Sequence, residues 1–157
     1  MISEELKIAL KARAASAVTP REAVVDVMKE LQSHYGWLTD EGVDEAAEII
    51  GLSPLQVEEL ATFYEMIYRR PVGKKVIHLC DSISCWTLGS ETLLERMAER
   101  LGVGPGGTTA DGMFTLLPCS CLGNCGNGPA MMIGDSIYDK LTLEGAFEIL
   151  EEERKRG

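Results

Sequence analysis

Through the first seventy or so residues, apolar positions recur three and four apart, the spacing of amphipathic helices. Ser3 is placed to cap a first helix running to about Ala14, with Leu6, Ile8, Ala9 and Leu10 as a short apolar face. Thr19-Pro20-Arg21-Glu22 sets a hydroxyl at N-cap, proline at N1 and glutamate at N3. It predicts a second helix whose Val24, Val27, Met28 and Leu31 lead to a stop at Tyr35-Gly36. A third is expected from Thr39 or Asp40 to Ile50, with Val43, Ala46, Ala47 and Ile50 inward and Gly51 closing it. Ser53-Pro54-Leu55-Gln56 repeats the capping signal and opens a fourth, striped by Val57, Leu60, Ala61, Tyr64 and Ile67.

Arg69-Arg70-Pro71-Val72-Gly73 interrupts this pattern and marks an expected boundary. Beyond it, Lys74 to Cys80 reads as a strand, Ser90 to Leu101 as a helix stopped by Gly102, and Met113 to Leu117 and Ala130 to Ile133 as strands. Ser136 to Tyr138 fits a hairpin return after Gly134-Asp135, and Thr142 to about Glu152 a closing helix. The order β-α-β-β-α, with a first connection long enough for a right-handed crossover, predicts a small mixed sheet with helices packed on it. The expected fold class is therefore α+β: a helical bundle over residues 1–72, then an α/β domain over 73–157 compatible with a thioredoxin-like fold.

At 157 residues the chain is long enough to bury a core without staples. Its net charge of −10 would repel a phosphate backbone, so nucleic acid is not an expected partner. The N-terminus carries acids where a signal peptide needs bases, and no apolar run approaches a membrane span of roughly 18 residues. A reducing cytoplasm is the expected setting. There, five cysteines point to metal or redox chemistry more than to a disulfide framework.

Their spacing sharpens this. Cys80 and Cys85 form a C-x4-C pair at the end of the first predicted strand, and Cys121 and Cys125 a C-x3-C pair in a glycine-rich loop. A [2Fe-2S] cluster needs two thiolates on each of two irons, which two separated pairs supply. Glycines beside Cys121 and Cys125 leave backbone N–H groups free to donate to sulfur. Leu79, Ile83, Trp86 and Leu122 are expected to shield the site from water. Zinc also accepts four thiolates, which leaves a zinc-stabilised interaction module as an alternative, although its usual C-x2-C knuckles are missing. The chain has no C-x-x-C for a dithiol oxidoreductase, and of the two histidines a Rieske centre would need, His34 lies in the helical half and His78 along a strand two residues before Cys80, each read as an ordinary structural or surface residue. Cys119 is surplus, read as a small side chain at a strand end. Gly102-x-Gly104-x-x-Gly107 matches a dinucleotide fingerprint only as a string, since it follows a helix and contains Pro105.

Several motifs carry a resemblance over nearly the whole chain. They are Y-G-W at Tyr35, A-T-F-Y at Ala61, P-V-G at Pro71, C-D-S-x-x-C at Cys80, T-T-x-D-G-x-F-T-L at Thr108 and C-L-G-N-C-x-x-G-P-x-M-M-I at Cys121. In this order they resemble the thioredoxin-like [2Fe-2S] ferredoxin family that supplies the E-type subunit of bacterial NADH:quinone oxidoreductase, respiratory complex I. The resemblance implies one [2Fe-2S] cluster per chain on Cys80, Cys85, Cys121 and Cys125, with no family ligand at Cys119. It also implies a partner flavoprotein subunit that binds NADH, FMN and a [4Fe-4S] cluster, and single-electron exchange with that flavin off the main path to quinone. The chain would then be an electron-carrying subunit of an oxidoreductase with no catalytic residue of its own. It would lie on the cytoplasmic side of the inner membrane, in contact with the membrane only through the complex. Related subunits of NAD-linked hydrogenases and formate dehydrogenases are the alternative setting. Phe63, Tyr64 and Met66 on the helical half are a candidate docking face, or alternatively fill the protein's own core.

Overall fold

A computed structural model describes residues 2–156 and divides the chain into two compact units, 1–71 and 72–157. In the first, helices α1 (Glu4–Ser16), α2 (Val24–Tyr35), α3 (Asp40–Ile50) and α4 (Pro54–Phe63) surround a core that includes Val27, Met28, Leu31, Leu38, Ala46 and Val57. Local chemistry sets most of the helix ends. Ser3 and Thr39 accept from the backbone N–H groups of Leu6 and Gly42, and Ser53 and Gln56 form a complete capping box. Gly36 and Gly51 close α2 and α3 in the left-handed region, where a side chain would be strained.

Three helix expectations need correction. On α1 the buried residues are Leu10 and Ala14, while Ile8 faces solvent, because the helix lies against the bundle along a narrower stripe. Thr19 makes no side-chain cap: its hydroxyl bonds the Glu22 carboxylate at 3.3 Å, residues Pro20–Ala23 form a 3-10 turn, and the α-helix proper begins at Val24. The fourth helix ends at Phe63, short of the predicted stripe. There the Gln32 side-chain amide takes over the backbone, donating to Met66 O at 2.9 Å and accepting from Tyr68 N at 2.6 Å. Arg69 fixes the same segment through Glu58 and Asp40. Ile67 still enters the core, but from a turn.

The second unit is built on one sheet of order β2-β1-β3-β4. Its strands are β1 (Lys75–Cys80), β2 (Phe114–Cys119), β3 (Met131–Ile133) and β4 (Ser136–Tyr138). β1 pairs parallel with β2 and antiparallel with β3, and β3 turns back on β4. Between β1 and β2 come a five-residue helix α5 (Ile83–Thr87) and α6 (Ser90–Leu101), and α7 (Leu143–Lys155) closes the chain. Phe114, Leu116, Ile77, Leu79, Met97 and Met131 form the centre of its core. The mixed sheet and helical first half are the α+β class expected. β2 runs farther than predicted, through Pro118 to Cys119, and α5 was not expected at all. The glycine string at 102–107 runs along β2, with Gly106 N donating to Leu116 O at 2.7 Å and Leu116 N to Gly107 O at 3.1 Å. It is a strand-edge loop.

One electrostatic knot ties α7 to the sheet. Glu153, 8% exposed, accepts from Lys75 Nζ at 2.6 Å, Tyr138 OH at 2.9 Å and Arg156 at 2.9 Å. The Lys75 ammonium is the main reason its carboxyl sits below the ordinary value of 4.5. A depressed carboxyl stabilises the fold above its unfolded-state value and loses that contribution as pH falls through the folded-state value. Glu153→Gln should therefore cost about 1 kcal/mol at neutral pH. Urea titrations of the two proteins should converge only once the pH has fallen through the depressed folded-state value of Glu153, where both side chains are neutral.

Candidate metal centre

All five cysteines lie in the second unit and none is disulfide-bonded. Cys80 ends β1, where its N–H donates to Ala130 O at 3.0 Å and the next residue, Asp81, donates to Cys119 O at 3.0 Å. The strand end is thus held from both neighbouring segments. Cys85 follows on α5, whose first turn is set by the Trp86 N to Ser82 O bond of 2.9 Å. Both residues are buried.

Cys121 and Cys125 come from the loop after β2 and are exposed. Gly123, with φ of 79°, turns the chain back so that their sulfurs stand 3.1 Å apart, and Gly123 N donates to Cys121 Sγ at 3.3 Å. The loop is anchored by Asn124 on Asp139 at 3.2 Å, Lys140 N on Asn127 O at 2.7 Å and Leu141 N on Pro129 O at 3.1 Å. The Gly128–Pro129 bond is cis.

The fold brings the two pairs together. Cys80 lies within electrostatic reach of Cys85, Cys121 and Cys125. The hydrogen bond from Cys125, supported by the Gly123 N–H, draws the Cys121 thiol below its ordinary value. The same partner pushes Cys125 up, since one proton and one negative charge are shared across the pair. Burial, reinforced by Cys80, pushes Cys85 up, against the pull of the Ala130 backbone. A metal would remove these protons outright, because thiolate is the ligating form.

This donor set fits a binuclear cluster better than a single ion. The thiols fall as two pairs on separate segments. A Cβ on Gly128 would stand 3.2 Å from Cys85 Sγ and 3.1 Å from Leu88, so the backbone passes close to the sulfur where only glycine fits without displacement.

Cys119 is buried beside Cys80 in the register of the two parallel strands, on the β2 side and not in the loop. His78 is buried within β1 and His34 meets the Tyr35 ring in the first unit. The expected shield is only half present. Leu79 is buried and Leu122 partly so, but Ile83 is 70% and Trp86 52% exposed, because α5 turns Cys85 inward and these residues outward. Sequence reasoning missed Ser84, whose hydroxyl lies close enough to Cys125 to oppose the upward shift of its thiol. It also missed the Ala130 backbone, which opposes the upward shift of the Cys85 thiol. Neither has a signal in residue spacing, since both depend on how α5 and β3 pack.

The sequence matches the thioredoxin-like [2Fe-2S] ferredoxin family over residues 10–154. The E-type subunit of NADH-quinone oxidoreductase from Pseudomonas aeruginosa is 42% identical over 132 residues, covering 84% of this chain and 80% of that protein. Its counterpart from Escherichia coli K12 gives the same identity and coverage. In fold, 83% of the chain superimposes on an NAD+-reducing [NiFe]-hydrogenase with a TM-score of 0.69 at 20% identity. It spans only 23% of that hydrogenase chain. Two thiol pairs gathered at one end of a small mixed sheet agree with the match along nearly the full sequence: the chain belongs to the thioredoxin-like [2Fe-2S] ferredoxin family.

Proposed function

We propose that this chain is the E-type, electron-carrying subunit of an NADH:quinone oxidoreductase, with Cys80 and Cys85 on one iron of a [2Fe-2S] cluster and Cys121 and Cys125 on the other. The observation that carries the reading is the pairing of the Cys121 and Cys125 sulfurs at 3.1 Å in a loop whose Gly128 packs against the sulfur of buried Cys85, five residues beyond buried Cys80. The cluster, when bound, supplies reversible one-electron transfer. The chain's own residues hold and insulate it. Buried Cys80 and Cys85 keep one side dry, whereas exposed Cys121 and Cys125 face outward, the side from which a redox partner has the shortest approach. The Gly123 N–H donates to the Cys121 sulfur, and the Ala130 backbone and Ser84 hydroxyl favour negative charge on Cys85 and Cys125.

The partner in this reading is a flavoprotein subunit that binds NADH and FMN, with residues 73–157 as the cluster domain and 1–72 as a helical bundle. No helix of the described residues is long and apolar enough to cross a membrane, so any membrane contact would run through other subunits on its cytoplasmic side. Phe63 is 76% exposed and meets Tyr64 edge to face with centroids 5.2 Å apart, so this pair does not fill the core and is available for docking. The hydrogenase likeness is one of fold and favours no second reading.

Anaerobically purified chain should be coloured, carry two irons and show a rhombic or axial S = 1/2 EPR signal after dithionite reduction. A colourless protein that holds one zinc and is EPR-silent after reduction would sink the proposal.

A further inference from the structure

Beside the cluster ligands, with Cys80 in its wall, a cavity of about 240 Å³ opens between β1, α5 and the first turn of α6. Its walls are Leu79 and Leu94, its rim carries the Trp86 ring, and the carboxylates of Asp81 and Glu91 stand at it. Ser90 also lines it. This serine is 2% exposed, yet its Oγ has no hydrogen-bond partner within the protein. A buried hydroxyl at a cavity wall without a partner is costly unless something entering the cavity bonds it.

We propose that this cavity receives an arginine side chain of the flavin-binding partner subunit, an inference that rests on the proposed electron-transfer role. The charge favours a cation. The first turn of α6 contributes roughly half a positive charge, while Asp81 and Glu91 bring two negative ones, on a chain of net charge −10. Arginine fits the shape better than lysine. Its stem can lie on Leu79 and Leu94, its planar head can stack on Trp86, and its several donors can serve both carboxylates at once. The surroundings point to a macromolecule and not a free amine, because Ile83 and Leu88, 70% and 56% exposed, extend the Trp86 surface beyond the cavity mouth. A second copy of this acidic chain is disfavoured by its own charge. The location is apt for such an anchor, since α5 carries Cys85 and the cavity wall includes Cys80.

The test uses cluster-loaded full-length chain and the flavin-binding subunit that co-purifies with it, with affinity measured over a range of salt concentrations. Glu91→Lys and Trp86→Ala are each expected to weaken binding about tenfold or more. Glu91→Asp should stay near wild type. Glu144→Lys on α7 makes the same charge change away from the cavity and should have little effect. The EPR signal per chain should be unchanged in all four. Wild-type affinity in Glu91→Lys, or equal weakening by Glu144→Lys, overturns the anchor. Absence of the cluster signal from the wild-type chain overturns the electron-transfer reading instead, and the affinities still decide the cavity.

Discussion

Cys85→Ser is expected to leave the chain without a [2Fe-2S] signal, while Cys119→Ser keeps it. A serine hydroxyl resists deprotonation far more than a thiol and bonds iron weakly. At position 85 nothing can replace the lost ligand, because the residue is buried and the nearest backbone is already closed around its sulfur at Gly128. The same substitution at Cys80 should be as severe, since this residue is likewise buried. Loss at Cys121 or Cys125 should be graded. These residues are exposed on a loop, so water or an added thiol can occupy the vacant corner and preserve part of the signal. Cys119 sits in β2 opposite Cys80, outside the loop. The measurement is EPR and visible absorption of each variant, with iron counted per chain and folding checked by circular dichroism. Loss of signal in Cys119→Ser with retention in Cys121→Ser would reverse the assignment of the fourth ligand.

How far these features could be read in advance depended on the range of the forces involved. Ser53-Pro54-Leu55-Gln56 was legible because a capping box is closed within four residues. The nearly identical Thr19-Pro20-Arg21-Glu22 string misled for the opposite reason. Its hydroxyl has a competing partner in Glu22, so the local signal was present and its outcome was not. The early end of α4 is a tertiary event, decided by Gln32 some thirty positions upstream. At the site, two thiol pairs could be found by spacing because each pair is local. What aligns them cannot be: a helix of five residues has no periodicity to detect, and the inward turn of Cys85, which exposes Ile83 and Trp86, is a consequence of that helix. The resemblance in motif order agreed with the four ligands that spacing had picked out and favoured a cofactor class that spacing alone shared with zinc. It could not reveal the buried hydroxyl of Ser90 or the cavity next to it.

The largest effect on stability is expected from Phe114→Ala. This ring is fully buried at the start of β2, within the core formed by Ile77, Leu116, Met97 and Met131. Its backbone is held on both sides, by Phe114 N to Thr109 Oγ1 at 3.0 Å and Thr109 N to Phe114 O at 2.8 Å, and the Arg154 guanidinium lies 5.3 Å from the ring centroid. Close packing limits collapse into the space left behind. A Cβ on Gly73 would already stand 2.9 Å from the Phe114 carbonyl carbon, so this part of the backbone has no slack. Removing the ring should therefore cost about 3 to 5 kcal/mol. A unit of this size has only about 4 to 13 kcal/mol in all, so the melting temperature of the second unit should fall by on the order of 20 °C. Because Cys80 ends the strand that pairs with β2, bleaching of the cluster should follow the same transition. The helical unit has its own core of Val27, Met28, Leu31 and Val57, and its helix signal should survive past that point. Phe114→Leu, which keeps most of the volume, should cost under about 1.5 kcal/mol. The contrast between the two variants separates loss of packing from any disturbance of the strand itself. If Phe114→Ala melted within a few degrees of wild type, the sheet that aligns the ligand pairs would have to be held by the Glu153 knot and the strand pairing alone.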